Sequence, residues 1–366
     1  MNTNPNESKK KTFKLEEPFK YRIFLSYSHE DKLLVERIAE IIKLNGMEPK
    51  WDKNFKYGYG FHEQIKNFIE HAHVFLPVLT KTADARKWVH QEIGYAMALN
   101  IPVLPLAVGK LPREMIQQIH ALKVDAENLD ALEEPLSIKA ISSVIESNAS
   151  KLIAYYSCAP LPEDRAKLMS EYADDVYSLG ICDVVRQKGA LSSFHIPTEV
   201  TDNPVWMRRY GPFKQSEEHY RLQRKERFSL QRHVDSAGCK LIINPGLKYE
   251  KYGTDARICR LESLLKFLNE MEDDQCWIAI KDGMDPRISV TILGNWFAAE
   301  SLAGFEGAGY RQTIFTRHAP TIIEKLSEFD AEFDELLKKA KVKKEDSRRW
   351  AIEMIENIIA DISSEK

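Results

Sequence analysis

The sequence predicts an α/β protein in two domains, the first built on a parallel sheet with helices on both faces. Three features point there. The chain has 366 residues, more than one small core serves, so two domains are expected. From Tyr21 onward, short apolar runs alternate with amphipathic stretches of helical length. Those runs are continuously apolar, as strands covered on both faces must be.

Taken in order, RIFLS is a short buried strand and polar SHEDK follows it. In LLVERIAEIIKLNG, Leu34, Ile38, Ile41 and Ile42 recur at helical spacing, and Gly46 stands just past the end as a C-cap. A short strand around Met47 to Trp51 leads into the loop DKNFKYGYG. FHEQIKNFIEHA reads as a helix with Ile65, Phe68 and Ile69 inward. VFLPVLT is a third strand, ARKWVHQEIGYAMALN a third helix and IPVLPLAV a fourth strand. Strands separated by helices in this way make βαβ units. In such sheets ligands bind in the crevice at the carboxyl ends of the strands. That places a site at the loops beginning with Ser26, Asp52 and Thr80.

After Leu136, the stretch IKAISSVIESNASKLIAYYS reads as helical and closes the first domain or leads into the next. Residues 160–235 read as mostly helical. CKLIINPG, CWIAIKDG, RISVTILGNWFAAES and YRQTIFTRH then read as strands, with TDARICRLESLLKFLNEM a helix between the first two. Amphipathic helices around Ile322–Lys339 and Lys344–Ile362 finish a second α/β domain. The expected division is a disordered leader over 1–19, one domain over 20–148 and another over 149–366.

Bulk properties narrow the function. A formal net charge of −3 gives no global basic field for nucleic acid or membrane. The longest apolar runs, such as Val74 to Leu79, are far shorter than a membrane span. The polar N-terminus lacks a secretory signal, and its Lys9 to Lys11 run reads as solvated charge. Five widely spaced cysteines without a CxxC pair fit reduced thiols in the cytosol. His71 and His73 stand two apart with no nearby Cys, so no structural metal is expected.

The segments RIFLSYSHEDK, WDKNFKYGYGFHEQI and VFLPVLTKTADARKWVHQEIGYAMA occur in an order and spacing that resemble a bacterial Toll/interleukin-1 receptor (TIR) domain over roughly residues 20–145. The resemblance implies a flavodoxin-like fold and, in the NAD-cleaving members, a WxxxE feature whose carboxylate is catalytic. Here Trp88 and Glu92 hold that spacing, four apart on one helix face. The chemistry is sound: breaking the nicotinamide–ribose bond develops positive charge on the sugar, and a carboxylate near the ribose stabilises it. Nicotinamide leaves neutral, so no partner acid is required and no cofactor beyond the substrate NAD+. The resemblance also puts Tyr27 and Ser28 beside the nucleotide, and Trp51 and Tyr57 at a loop, with Gly58 and Gly60, that borders both active site and assembly contacts. Ordering of that loop is then an activation step. Plainer roles stand beside these. Ser28 is placed to cap the following helix, with Asp31 three residues on, Trp51 at a strand end is placed to join the core, and Trp88 is equally suited to packing. The wording KWVHQEIGYA departs from the SxWCxxE of eukaryotic members and is closer to the bacterial type.

The second half resembles no family. Residues 201–260 carry thirteen Lys or Arg against seven Asp or Glu. Arg208, Arg209, Arg221, Arg224, Lys225, Arg227 and Arg232 are interleaved there with Trp206, Tyr210, Tyr220 and Phe228, a pattern that fits nucleotide or nucleic-acid binding or a solvated helix. KDGMDPR reads as a hairpin turn, with Asp282 and Asp285 as candidate cation ligands. The Gly-rich segment before YRQTIFTRH lacks the HxK wording of phospholipase-D-like enzymes, and no P-loop, GxSxG or HExxH occurs. By elimination this half is a sensor or oligomerisation domain. The resemblance to bacterial TIR effectors with a second, sensor-like domain implies a triggered NAD+ glycohydrolase in antiphage defence, self-associating through TIR domains, with an unidentified nucleotide, nucleic acid or protein as trigger. The alternative is a non-catalytic TIR–TIR interaction module.

Overall fold

The computed structural model describes residues 21–51, 61–80, 87–109, 121–147, 156–198, 217–247, 253–285, 288–302 and 312–364. The first sheet holds β1 (Arg22–Ser26), β2 (Glu48–Lys50), β3 (Val74–Leu79), β4 (Leu106–Val108) and β5 (Leu122–Val124). Their order is β2-β1-β3-β4-β5 and every pairing is parallel. The chain reverses its direction of travel across the sheet between β1 and β3. That is the topological switch point, where the loops diverge and leave a crevice.

Helices α1 (Lys32–Leu44), α2 (Phe61–Glu70), α3 (Lys87–Ala98) and α4 (Ile138–Ser147) cover both faces. Side-chain alternation along β1 sorts the two cores. Ile23 and Leu25 join Ile38, Ile42, Leu76 and Ile141 under α1 and α4, whereas Phe24 joins Phe68, Phe75 and Ile93 under α2 and α3. Beyond α1, Gly46 adopts φ 79°, the left-handed conformation expected of a C-cap glycine.

The second sheet holds β6 (Tyr156–Ala159), β7 (Val185–Gly189), β8 (Cys239–Ile243), β9 (Cys276–Ile280), β10 (Ser289–Leu293), β11 (Phe297–Leu302) and β12 (Gln312–Thr316). The order is β6-β12-β11-β10-β7-β8-β9, with only β7, β8 and β9 parallel. On one face lie α5 (Pro162–Ser178), α6 (Glu217–Ala237), α7 (Gly253–Glu270) and α9 (Ser347–Ser364), and on the other α8 (Ala319–Ala340).

Five sequence expectations are corrected. The fourth strand is three residues long, Val103 contributing only an isolated bridge to Phe75. A fifth strand, Leu122–Val124, follows it unannounced. The helix after Leu136 is described over Ile138–Ser147, and YSCA, at the end of the stretch expected to be helical, is an edge strand paired antiparallel with β12. The sequence VRQKG lies in a stretch that reads as helical, yet forms β7 between β10 and β8. Its polarity hides it: Arg186 and Lys188 are neutralised by Asp330 and Glu332 of α8, while Lys240 of β8 shares Asp330. Finally, KDGMDPR is no hairpin, because β9 is an edge strand and β10 pairs with β7 and β11.

The two sheets share one apolar cluster, running from Phe24, Phe75 and Ile93 to Met169, Phe194 and Phe297. At its rim the first residue of β1 ties them together. The Arg22 guanidinium lies 3.9 Å over the Trp296 ring, and Nη1 donates to the backbone and side-chain oxygens of Asn295 at 3.0 and 2.5 Å. Nε donates to the His71 carbonyl at 2.9 Å, and the backbone N–H of Arg22 donates to His73 Nδ1 at 2.6 Å. Burial holds His71 down to about 3 and His73 well below its usual range, so both are neutral beside the cation. Asn67 of α2 donates to the Ser178 hydroxyl of α5. Among the described residues no helix is long and apolar enough to cross a membrane.

Candidate active site

Glu92 stands in the second turn of α3, three residues after Val89 and next to Ile93, both fully buried. The side of the helix that packs on the sheet therefore carries a carboxylate, which is only 8% exposed. Its partner is Ser26, the last residue of β1, whose hydroxyl donates to Glu92 Oε2 at 2.5 Å. The pair thus sits at the carboxyl end of β1, at the switch point.

Burial pushes the Glu92 carboxyl up to about 7, and the Ser26 hydrogen bond pulls in the opposite direction without cancelling it. Among the described residues no cation enters this balance. A neutral hydroxyl compensates only part of the desolvation of a carboxylate. The described residues therefore leave the ionised Glu92 without a compensating positive charge.

The loops on either side are joined at a second point: the Thr80 hydroxyl, just after β3, donates to Asp31 Oδ2 at 2.6 Å. Asp31 spans the switch point instead of completing a capping box. Ser28 begins the turn His29–Asp31, but its side chain makes no capping bond. The Ser28 hydroxyl is 1% exposed as a residue and has no hydrogen-bond partner among the described residues. Such a group costs about 1–3 kcal/mol when left unsatisfied, so it is a donor in want of an acceptor one loop turn from the Ser26–Glu92 pair.

The other sequence-derived candidates divide. Tyr27 is 3% exposed and packs in the core beneath α1, with its ring edge-on to His29. Trp51 is 6% exposed in the same core, with the Lys43 ammonium 5.9 Å from its ring centroid. Both serve packing first, on the sheet face opposite α3. Trp88 lies in α3, four residues before Glu92, and its side chain falls outside the described residues, as do Tyr57, Gly58 and Gly60. Sequence reasoning named Ser26 and Thr80 only as loop starts and missed their bonds to Glu92 and Asp31. The available signal was a small hydroxyl residue at the carboxyl end of two neighbouring parallel strands.

The TIR domain family model matches residues 23–136, the segment that builds this sheet and this carboxylate. Residues 23–136 are a TIR domain. No curated protein matches the chain. Among solved structures, the archaeal chromatin protein TrmBL2 is similar over 57% of this chain and 63% of its own, at 10% identity and a TM-score of 0.32. The present chain thus spans under two thirds of that protein's length. The CMP N-glycosidase BcmB of Clostridium botulinum is similar over 30% of this chain and 98% of its own, at 16% identity and a TM-score of 0.24.

Outside the TIR domain, the basic stretch separates into two faces of α6. Arg227 is 4% exposed and points inward. Its guanidinium donates to the Phe194 and Ile196 carbonyls and to the Ser263 hydroxyl. It anchors α6 to the turn after β7 and to α7 and is no part of a surface. Arg208, Arg209, Trp206 and Tyr210 lie outside the described residues. Around Asp282 and Asp285, as elsewhere among the described residues, no three His, Cys, Asp or Glu side chains converge as metal ligands.

Proposed function

We propose that this TIR domain is an NAD+ glycohydrolase with Glu92 as its catalytic carboxylate. One observation carries the reading: a buried carboxylate at the switch point of a parallel sheet that meets, among the described residues, one neutral donor and no cation. NAD+ supplies that cation. Its nicotinamide ring is positively charged in the ground state. As the glycosidic C–N bond breaks, the bonding pair leaves with the ring, which becomes neutral, and the positive charge passes to the ribose. Glu92 stabilises the charge on the sugar, and Ser26 fixes the carboxylate oxygen that does so. Bringing the cationic substrate alongside also favours ionisation of Glu92. Water then attacks the anomeric carbon, loses a proton to solvent and gives ADP-ribose. Where water is kept out, a ribose or adenine group of the same molecule attacks and gives a cyclic isomer.

By its resemblance to bacterial effectors with a second, sensor-like domain, the protein acts in antiphage defence. In this reading a trigger bound by residues 149–366 assembles the TIR domains and NAD+ loss halts the infected cell. The five cysteines are free thiols, which suits a reducing cytoplasm. The test is nicotinamide release from NAD+ by the full chain and by Glu92→Gln, across a panel of nucleotides, nucleic acids and phage proteins. Release by the wild type alone supports the reading. Equal release by both, or none with any trigger, leaves a non-catalytic TIR–TIR assembly module.

A further inference from the structure

The outward face of α6 carries a second constellation, independent of Glu92. Arg224 and Phe228 stand at i,i+4 there, and Tyr220, one turn earlier, is buried at the edge of that face with its hydroxyl donating to the Pro197 carbonyl. The Arg224 guanidinium lies between the two rings, 5.6 Å from the Tyr220 centroid and 5.7 Å from that of Phe228. Phe228 is 46% exposed, an aromatic ring in solvent among the charged residues of the outer face. Together with Asp174 of α5, these residues line a groove of about 890 Å³.

The charges of the groove are unequally spent. Arg221 is held by both oxygens of Glu218, at 2.8 and 2.5 Å, and Arg232 by Asp174. Arg232 also rests 4.4 Å from the centroid of the Tyr177 ring. Arg224 and Lys225 face no carboxylate within ion-pair distance among the described residues, and the buried Arg224 Nε has no hydrogen-bond acceptor. An unsatisfied guanidinium asks for an anion, and an exposed ring beside it asks for a flat apolar surface.

We infer that this groove binds a nucleotide, with phosphate on Arg224 and Lys225 and the base against Phe228. The volume lies within the range of roughly 300–1,000 Å³ usual for small-molecule sites. A nucleic acid fits less well, because its binders typically neutralise about 6–10 phosphates and, among the described residues, the groove offers two cations without a carboxylate partner.

The test is calorimetric titration of the full chain with ATP and AMP, and with adenosine and inorganic phosphate as separate components. ATP is expected to bind with a Kd below about 1 mM. The Arg224→Gln/Lys225→Gln double variant should lose about tenfold or more in affinity with an unchanged unfolding midpoint. Phe228→Ala should weaken ATP and adenosine but leave phosphate as it was. Nucleotide held by the TIR domain is unaffected by these changes, so the difference from wild type reads the α6 groove alone. If the double variant does not fold, Lys225→Gln and Phe228→Ala, both at exposed positions, carry the comparison. Absence of nucleotide binding, equal affinity in wild type and variants, or binding confined to an oligonucleotide or an acidic peptide would overturn the inference.

Discussion

The two ends of β1 bury opposite charges and treat them in opposite ways. At the first residue, Arg22 is enclosed by Asn295, Trp296 and the His71 carbonyl, and neighbouring histidines stay neutral beside it. At the last, Ser26 offers Glu92 a single neutral donor. Burial lowers Arg22 to about 10, still charged at neutral pH, and raises Glu92 to about 7, poised between its two forms. A buried charge whose polar directions are filled serves as an anchor. One that meets a single neutral donor among the described residues is suited to a ligand, and perturbed groups of that kind cluster at functional sites. Five residues of strand thus join the domain seam to the candidate chemistry.

The comparison breaks most visibly if the anchor is removed. Arg22→Met deletes the bonds to Asn295 and His71 and the contact with Trp296, and is expected to cost about 3 kcal/mol of stability. Chemical denaturation of the full chain at pH 7 reads it, and a loss under about 1 kcal/mol would place the seam elsewhere.

Glu92→Gln should act in the opposite direction. The folded carboxyl titrates near 7 and the ordinary value is 4.5, so ionisation penalises the native state as pH rises between them. Below pH 4.5 both states are protonated and the penalty vanishes. Above pH 7 it reaches about 3 kcal/mol, from roughly 1.4 kcal/mol per pH unit of difference. The variant should therefore be more stable than wild type at pH 8 and equal to it at pH 4, by thermal or denaturant unfolding. A gain that does not grow with pH would mean the carboxyl is not perturbed by burial.

The smallest effect belongs to Ser26→Ala. Its hydroxyl favours the ionised form of Glu92, so its loss should move the acid limb of activity upward by about one pH unit. Activity well above that limb should change little, which distinguishes a positioning hydroxyl from an obligatory one.

Much of this was legible in the sequence, and the failures have physical causes. The TIR strands RIFLS and VFLPVL are apolar throughout and announce themselves. Leu122–Val124 is three residues long and too short for any periodicity. The strand VRQKG is polar because α8 supplies the counter-charges, a fact of tertiary structure that no local window contains. The Trp88–Glu92 spacing located the carboxylate, whereas its environment depended on Ser26, sixty-six positions away. The Arg22–Asn295 contact spans 273 positions and leaves no local mark. Cys239 and Cys276, distant in sequence, are register partners on β8 and β9 with sulfurs 3.5 Å apart.

The central claim, that Glu92 performs the chemistry in its ionised form, is tested most directly by the pH dependence of nicotinamide release. For the wild type under activating conditions, log kcat/KM should rise with unit slope to a plateau above about pH 7. Glu92→Gln should be slower by about a thousandfold and show no such limb. A variant that keeps the wild-type rate, or a wild-type profile flat through pH 7, would contradict it.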